Sequence, residues 1–444
     1  MKGVSLRFSP DRYSSHSRPN ASPVSRRHFL GASFAPLLQA AEANPKIQAA
    51  RDAALAVLGP SRKDLDHGLE LHAQSLVVES YGFSPRSAID GDRMRAAIEA
   101  GASPRELEDL SVEMLLLRVA DDVSQQSEYL DAWRASGVTC VLQNAGEEGS
   151  SPLRLLKRLA HFTYLTDKLR NHVSRAATPD DIEAAKKQGR HCLYLTGNGV
   201  PLAQEWNSSD EELAFVRLFA QLGIRMMHLT YNRRNALGDG CAESANGGLS
   251  ELGRAAIKEM NRAGVIVDIA HSGWQTSLEA AKASSKPMVA SHSSAASVHR
   301  HIRSKPDEVI RAICDTGGLI GVYSVASFLG RTSDLNAMLD HIEYLVKKFG
   351  AQHVAIGTDI AYIPQSATAE YRKIGPRPKS RTRYEALWPP GTSDSLSHPS
   401  LAWTNWPMFT VGMVQRGISD ADIQKILGGN VMRVARAALT EARA

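Results

Sequence analysis

The sequence predicts an α/β fold of the (β/α)8 barrel type, with extra N- and C-terminal helices and a long loop after the last strand. Three observations carry this. Eight short apolar runs rich in β-branched residues recur along the chain, separated by helix-length stretches, as parallel βαβ units require. The chain has 444 residues, 43% of them hydrophobic, enough to bury one large core with insertions. Two neighbouring apolar runs end in histidines, His271 and His292, and strand C-terminal ends are where such barrels keep their chemistry.

The first 43 residues read as an export signal. They carry Lys2, Arg7, Arg12, Arg18, Arg26 and Arg27 against Asp11 and Glu42, which is most of the net charge of +5. Ser25-Arg26-Arg27-His28-Phe29-Leu30 has twin-arginine form. An apolar stretch to Ala41 follows, then Ala41-Glu42-Ala43 as a cleavage-type site. The other reading is a basic tail; the order of arginine pair, apolar stretch and small-residue site favours export, to the periplasm or another extracytoplasmic space. Residues 44–444 are then the barrel domain. With the signal removed, the remaining charge is near neutral, so no nucleic-acid footprint is expected. No run of 18 or more apolar residues occurs, so no membrane span is expected.

Taken in order, Pro45–Gln74 reads as helical, outside the barrel. Ser75–Tyr81 is the first strand, and Met94–Ala100 and Ser103–Leu117 are helices. Gly137–Leu142 is the second strand, and Leu153–Ala176 a long helix. Thr178 caps the next helix, with Pro179 in its first turn and Asp180 and Asp181 at the positive end of its dipole. His191–Thr196 and Ile224–Thr230 are strands three and four, with a helix at Asp210–Leu222 between them. Ala263–His271, Pro287–Ser294, Gly317–Tyr323 and His353–Asp359 complete the eight. Helices at Trp406–Gly417 and Asp420–Leu427 and a last one after Gly428-Gly429-Asn430 close the chain. Ala361–Pro399 is proline-rich and basic without periodicity; it reads as a partial lid over the barrel mouth or, equally, as a solvated insertion. Cys140, Cys192, Cys241 and Cys314 have no paired zinc spacing. The first two fall in strands, where buried thiols are expected; one disulfide after export is the other option.

Two histidines closing adjacent barrel strands converge on one point, and paired imidazoles invite a divalent ion. The stretch around them resembles the membrane (renal-type) dipeptidase family, zinc peptidases of the amidohydrolase-like barrels. The matching phrases are GLSELGRAAIKEMNRAGVIVDIAHSG, SKPMVASHSSA and RAICDTGGLIGVYSV, and the resemblance runs from roughly Leu76 to Ala435.

That resemblance implies two zinc ions sharing a carboxylate and a water, held by a strand-one His-x-Asp, a strand-three Glu and two later histidines. His271 and His292 fall on the later pair. Arg303, in HRHIRSKPDE, falls where the family holds the substrate carboxylate, and Asp359 where it places a catalytic aspartate. The remaining positions depart from the pattern. Strand one reads Glu79-Ser80-Tyr81-Gly82-Phe83, so Tyr81 and Phe83 replace the His and Asp ligands. Thr196 replaces the bridging Glu, and Tyr231 a substrate-contacting His. Counting alternate residues back from Tyr231 and His271 turns His228 and Asp268 toward the helices. Counting back from Tyr81 keeps Glu79 on the inward face, as a substitute ligand or, preferably, a structural acid. The expectation is a dipeptidase-like hydrolase with at most one ion, zinc or another divalent metal, acting on a dipeptide or other small carboxylate-bearing amide. The alternative is an inactive relative that binds such a ligand. A homodimer is implied by resemblance alone.

Overall fold

The computed structural model describes residues 44–146, 151–330, 332–375 and 397–439. The candidate export signal and much of the candidate lid lie outside the described residues. Nine strands are present among them: β1 (Val78–Gly82), β2 (Cys140–Asn144), β3 (Val173–Ala176), β4 (His191–Gly197), β5 (Met226–His228), β6 (Ile266–Asp268), β7 (Val289–Ser293), β8 (Leu319–Val322) and β9 (Val354–Ile356). Their order is β1-β2-β4-β5-β6-β7-β8-β9, every pairing is parallel, and β3 adds to β4 off this path. The Asp359 N–H donates to Tyr81 O at 3.3 Å, bringing the two edges together. The result is a nearly closed barrel of eight parallel strands with helices around it, as the sequence predicts.

One buried cluster takes a residue from each barrel strand: Val78, Cys140, Cys192, Met226, Ile266, Val289, Leu319 and Ala355. These point inward, and Val431 and Val434 of the C-terminal helix Asn430–Leu439 pack against them. Two residues further along three of the strands lie His228, Asp268 and Ser291, on the same face by the strand period. The interior is tight at that level. Ser80 Oγ donates across it to Ser291 O at 2.7 Å. A Cβ at Gly321 or Gly357 would come within 1.9 or 2.2 Å of that same carbonyl oxygen, so both must be glycine.

Local structure departs from expectation in four places. Pro45–Gln74 is two helices, Pro45–Leu58 and Arg62–Gln74, because Gly59 takes a left-handed cap (φ 51°) and Pro60 follows. The long helix ends at Lys168; Val173 to Ala176 pair with His191 to Tyr194 instead, a tertiary demand that overrides helical pattern. Helix Val123–Ser136, capped by Asp122 and a left-handed Gly137, was not anticipated. The insertion holds a helix, Ala367–Ile374. Thr178 does cap its helix, in a reciprocal box with Asp181. All four cysteines are free thiols, with Cys140 and Cys192 buried as register partners on β2 and β4. No helix among the described residues is long and apolar enough to cross a membrane.

Candidate active site

His228 ends β5, His271 stands three residues past β6, and His292 lies within β7. The three are 0%, 3% and 0% exposed, and one ring nitrogen from each lies within 4.8 Å of the others. His271 Nε2 and His292 Nε2 are 2.9 Å apart. Burial drives all three imidazoles below their ordinary pKa, and the Arg303 charge adds to this. They are therefore neutral, the form that binds metal.

Each ring has an oxygen behind its Nδ1. His228 Nδ1 lies 3.3 Å from Gly197 O, His271 Nδ1 2.7 Å from Asn232 Oδ1, and His292 Nδ1 2.8 Å from Ser291 Oγ. The Ser291 hydroxyl is itself given to Asp268 Oδ2. Asp268 Oδ1 accepts from the N–H groups of Ala270 and Ser291. Two tyrosines cover the pair: Tyr81 stacks on His292 and Tyr231 on His271, each with ring centroids 4.0 Å apart. The Tyr81 hydroxyl donates to Asn198 Oδ1.

The placement of His228 and Asp268 corrects the sequence reading. Both face the histidine cluster, because β5 and β6 are only three residues long and the chain beyond them is not extended. Alternation counted back from His271 or Tyr231 therefore fails. Counted forward from the inward Met226 and Ile266, it gives the observed side. Glu79 is corrected in the opposite sense. A register shift between Glu79 and Gly82 breaks the alternation, and its carboxylate accepts from the Thr358 N–H and hydroxyl and from Trp403 Nε1. It is not among the grouped metal donors. Burial pushes its pKa up to about 8 despite those bonds.

Of the other replaced positions, Thr196 is buried with its hydroxyl on Gln143 O at 3.2 Å. Phe83 lies under the Arg86 guanidinium, 4.6 Å from its ring centroid. Neither offers a metal donor of useful strength. Arg303 is 2% exposed; its Nη2 donates to His292 O at 3.2 Å, and its buried Nε has no hydrogen-bond partner. Asp359 adopts a left-handed backbone (φ 60°), uncommon for a non-glycine residue and a feature of functional sites. Burial raises its carboxyl to about 6 against the pull of Arg303 and Arg86. Asp359 is not one of the grouped metal donors; it lines a cleft of about 730 Å³ with Phe83, Arg86, Ser324 and Trp403. Sequence reasoning also missed Lys305, fully buried with Nζ on Ser272 O at 2.6 Å and lowered to about 7 by burial.

A (β/α)8 barrel with neutral histidines clustered at its C-terminal mouth, a buried arginine and a raised aspartate places its chemistry-bearing groups where barrels of this class keep their sites. The sequence model of membrane dipeptidases, peptidase family M19, matches residues 131–370, more than half of the chain, and the protein belongs to that family of metal-dependent peptidases. It is 27% identical over 271 residues to "Dipeptidase tcpJ" of Claviceps purpurea, a match spanning 60% of this chain and 55% of the fungal protein. An amidohydrolase from Pseudomonas aeruginosa superposes with a TM-score of 0.61 at 25% identity, covering 84% of this chain and 98% of that one. A metallopeptidase from Rhodobacter sphaeroides, solved with a phosphinate mimic of the dipeptide L-Ala-D-Ala, superposes with a TM-score of 0.57 at 16% identity, covering 82% and 100%; that likeness is one of fold.

Proposed function

We propose that the protein is a dipeptidase-like metallohydrolase, cleaving a dipeptide or similar small amide that bears a free carboxylate, with one divalent ion held by His271 and His292. Zinc is the ion the family suggests. The observation that carries the reading is Arg303, a guanidinium taken almost wholly out of water with its Nε unpartnered. Such a group is costly to bury unless an anion completes it. A substrate carboxylate is the natural complement, through a bidentate, charge-assisted pair.

The donor chemistry fits the ion: two neutral imidazoles with bare Nε2 atoms and oriented Nδ1–H groups. When bound, the ion would supply Lewis acidity to a water and to the scissile carbonyl. Asp359, with a pKa of about 6, is ionised at neutral pH yet basic enough to take a proton from the attacking water and return it to the leaving amine. Tyr81 and Tyr231 cover the two rings, excluding bulk water from that side. Turnover of a dipeptide panel, with His292→Ala as the control, tests the reading. Hydrolysis lost in that variant supports it; no hydrolysis of any member by metal-loaded wild type refutes it. The replaced ligands at Tyr81, Phe83 and Thr196 make rates far below those of a two-metal enzyme the expectation. We also propose export through the Arg26-Arg27 signal.

A further inference from the structure

We infer that His228 is the third protein ligand of a mononuclear tris-histidine metal site, His228–His271–His292, with Gly197 O, Asn232 Oδ1 and Ser291 Oγ as the groups that aim the rings. The inference rests on the single-metal reading above and adds a ligand that reading does not contain.

The positions of the ring hydrogens point to the ligand atoms. A carbonyl oxygen only accepts, so the contact with Gly197 O requires the proton of His228 on Nδ1. Asn232 Oδ1, which also accepts from Cys241 Sγ at 3.4 Å, fixes the proton of His271 on Nδ1. The Ser291 hydroxyl is committed to Asp268 Oδ2, so Ser291 Oγ accepts from His292, again through Nδ1. In all three rings Nε2 is then a bare lone pair. Two of them face one another at 2.9 Å. The third, His228 Nε2, is buried without an aligned hydrogen-bond partner, and it lies 3.1 Å from Asp268 Oδ2, the carboxylate it pairs with whenever that nitrogen carries a proton. Lone pairs gathered in a dry site repel unless a cation stands among them. Tetrahedral zinc with bonds of ~2.0–2.1 Å separates its nitrogens by roughly 3.3 Å, close to the 2.9 Å observed between His271 and His292. An Nδ1–H fixed on a protein oxygen is the usual support of a metal-bound imidazole. Asp268, joined to Ser291 and adjacent to His228, supplies the negative charge beside a donor set that has none of its own. Three imidazoles with a fourth position open form a catalytic zinc set.

The test is metal binding read without turnover. X-ray absorption on zinc-loaded wild-type protein should count three imidazoles; two imidazoles with oxygen donors making up the rest would overturn the inference. Cobalt(II) titration of the metal-free protein should give one equivalent with the intense visible bands of a tetrahedral site. His228→Gln should weaken that binding by ~100-fold or more, and Asn232→Ala by ~10–100-fold, as outer-shell partners do. Zinc should raise the melting temperature of wild type and leave that of His228→Gln unmoved at the same concentration. Unchanged cobalt affinity and spectrum in a folded His228→Gln protein would also overturn it. If His228 proves a ligand but no amide is cleaved, the proposed function fails and the site stands; if dipeptides are cleaved with His228 dispensable for metal, the reverse holds.

Discussion

Tyr81 lies flat on His292, with ring planes 16° apart and centroids separated by 4.0 Å. A tyrosine of β1 thus buttresses one of the clustered histidines from across the barrel mouth. Its phenol is 1% exposed. Tyr81→Phe keeps the stack and loses only the hydroxyl bond to Asn198, so it should cost about 0.5–1.5 kcal/mol with metal content unchanged. Tyr81→Ala should cost about 3–5 kcal/mol, the range for emptying a buried aromatic site. Urea unfolding with elemental analysis checks both.

Arg303→Met should weaken binding of a dipeptide or its carboxylate-bearing analogue ten- to a hundred-fold, equivalent to ~1.5–3 kcal/mol. Arg303→Lys should recover only part of this, because an ammonium lacks the planar fork. Amidated substrates should bind the wild-type and Met proteins alike. Calorimetric titration measures each; equal affinities of wild type and Arg303→Met for the free acid would remove Arg303 from the site.

Stability of the metal-free protein should fall below about pH 6.5. Burial holds His72 at about 3 and His191 and His341 at about 4, and lowers His228, His271 and His292 as well. The unfolded chain takes up these protons near pH 6.5 and the folded chain does not, so stability is lost as pH falls through that value toward 3. Glu79 and Asp359, raised to about 8 and about 6, act in the opposite sense over 4–8, but six histidines outweigh two acids. Holding one imidazole at about 4 rather than about 6.5 corresponds to roughly 3 kcal/mol. Urea midpoints at pH 7 and pH 5 should differ clearly, and by less in His72→Gln.

The exported protein should begin near Asn44. N-terminal sequencing of secreted material reads this directly. Retention of Met1, or export undiminished by Arg26→Lys with Arg27→Lys, would remove the signal.

The barrel was legible because period and length suffice: eight β-branched runs at helix-length spacing have few other folds. His271, His292 and Arg303 were nameable because each sits in a phrase that resembles the family's, and Asp359 because it closes the last strand. His228 and Asp268 were misplaced because side-chain alternation holds only inside a strand, and β5 and β6 stop at those very residues. The signal that could have found them is the inner apolar layer: Met226 and Ile266 point inward, and the residues two further on must follow. The inward face counted for Glu79 is wrong for the complementary reason, a register shift inside β1 that no composition betrays; its preferred reading as a structural acid does not depend on that face. Lys305 carries no periodic signal; only the fold buries it.

The central claim is one metal per chain at the neutral histidines. Elemental analysis of protein purified without added zinc measures it most directly, with His271→Ala and His292→Ala alongside. Close to one divalent ion is expected in the wild type and close to none in either variant. Two tightly held ions per chain, or none in wild type even after zinc loading, would contradict it.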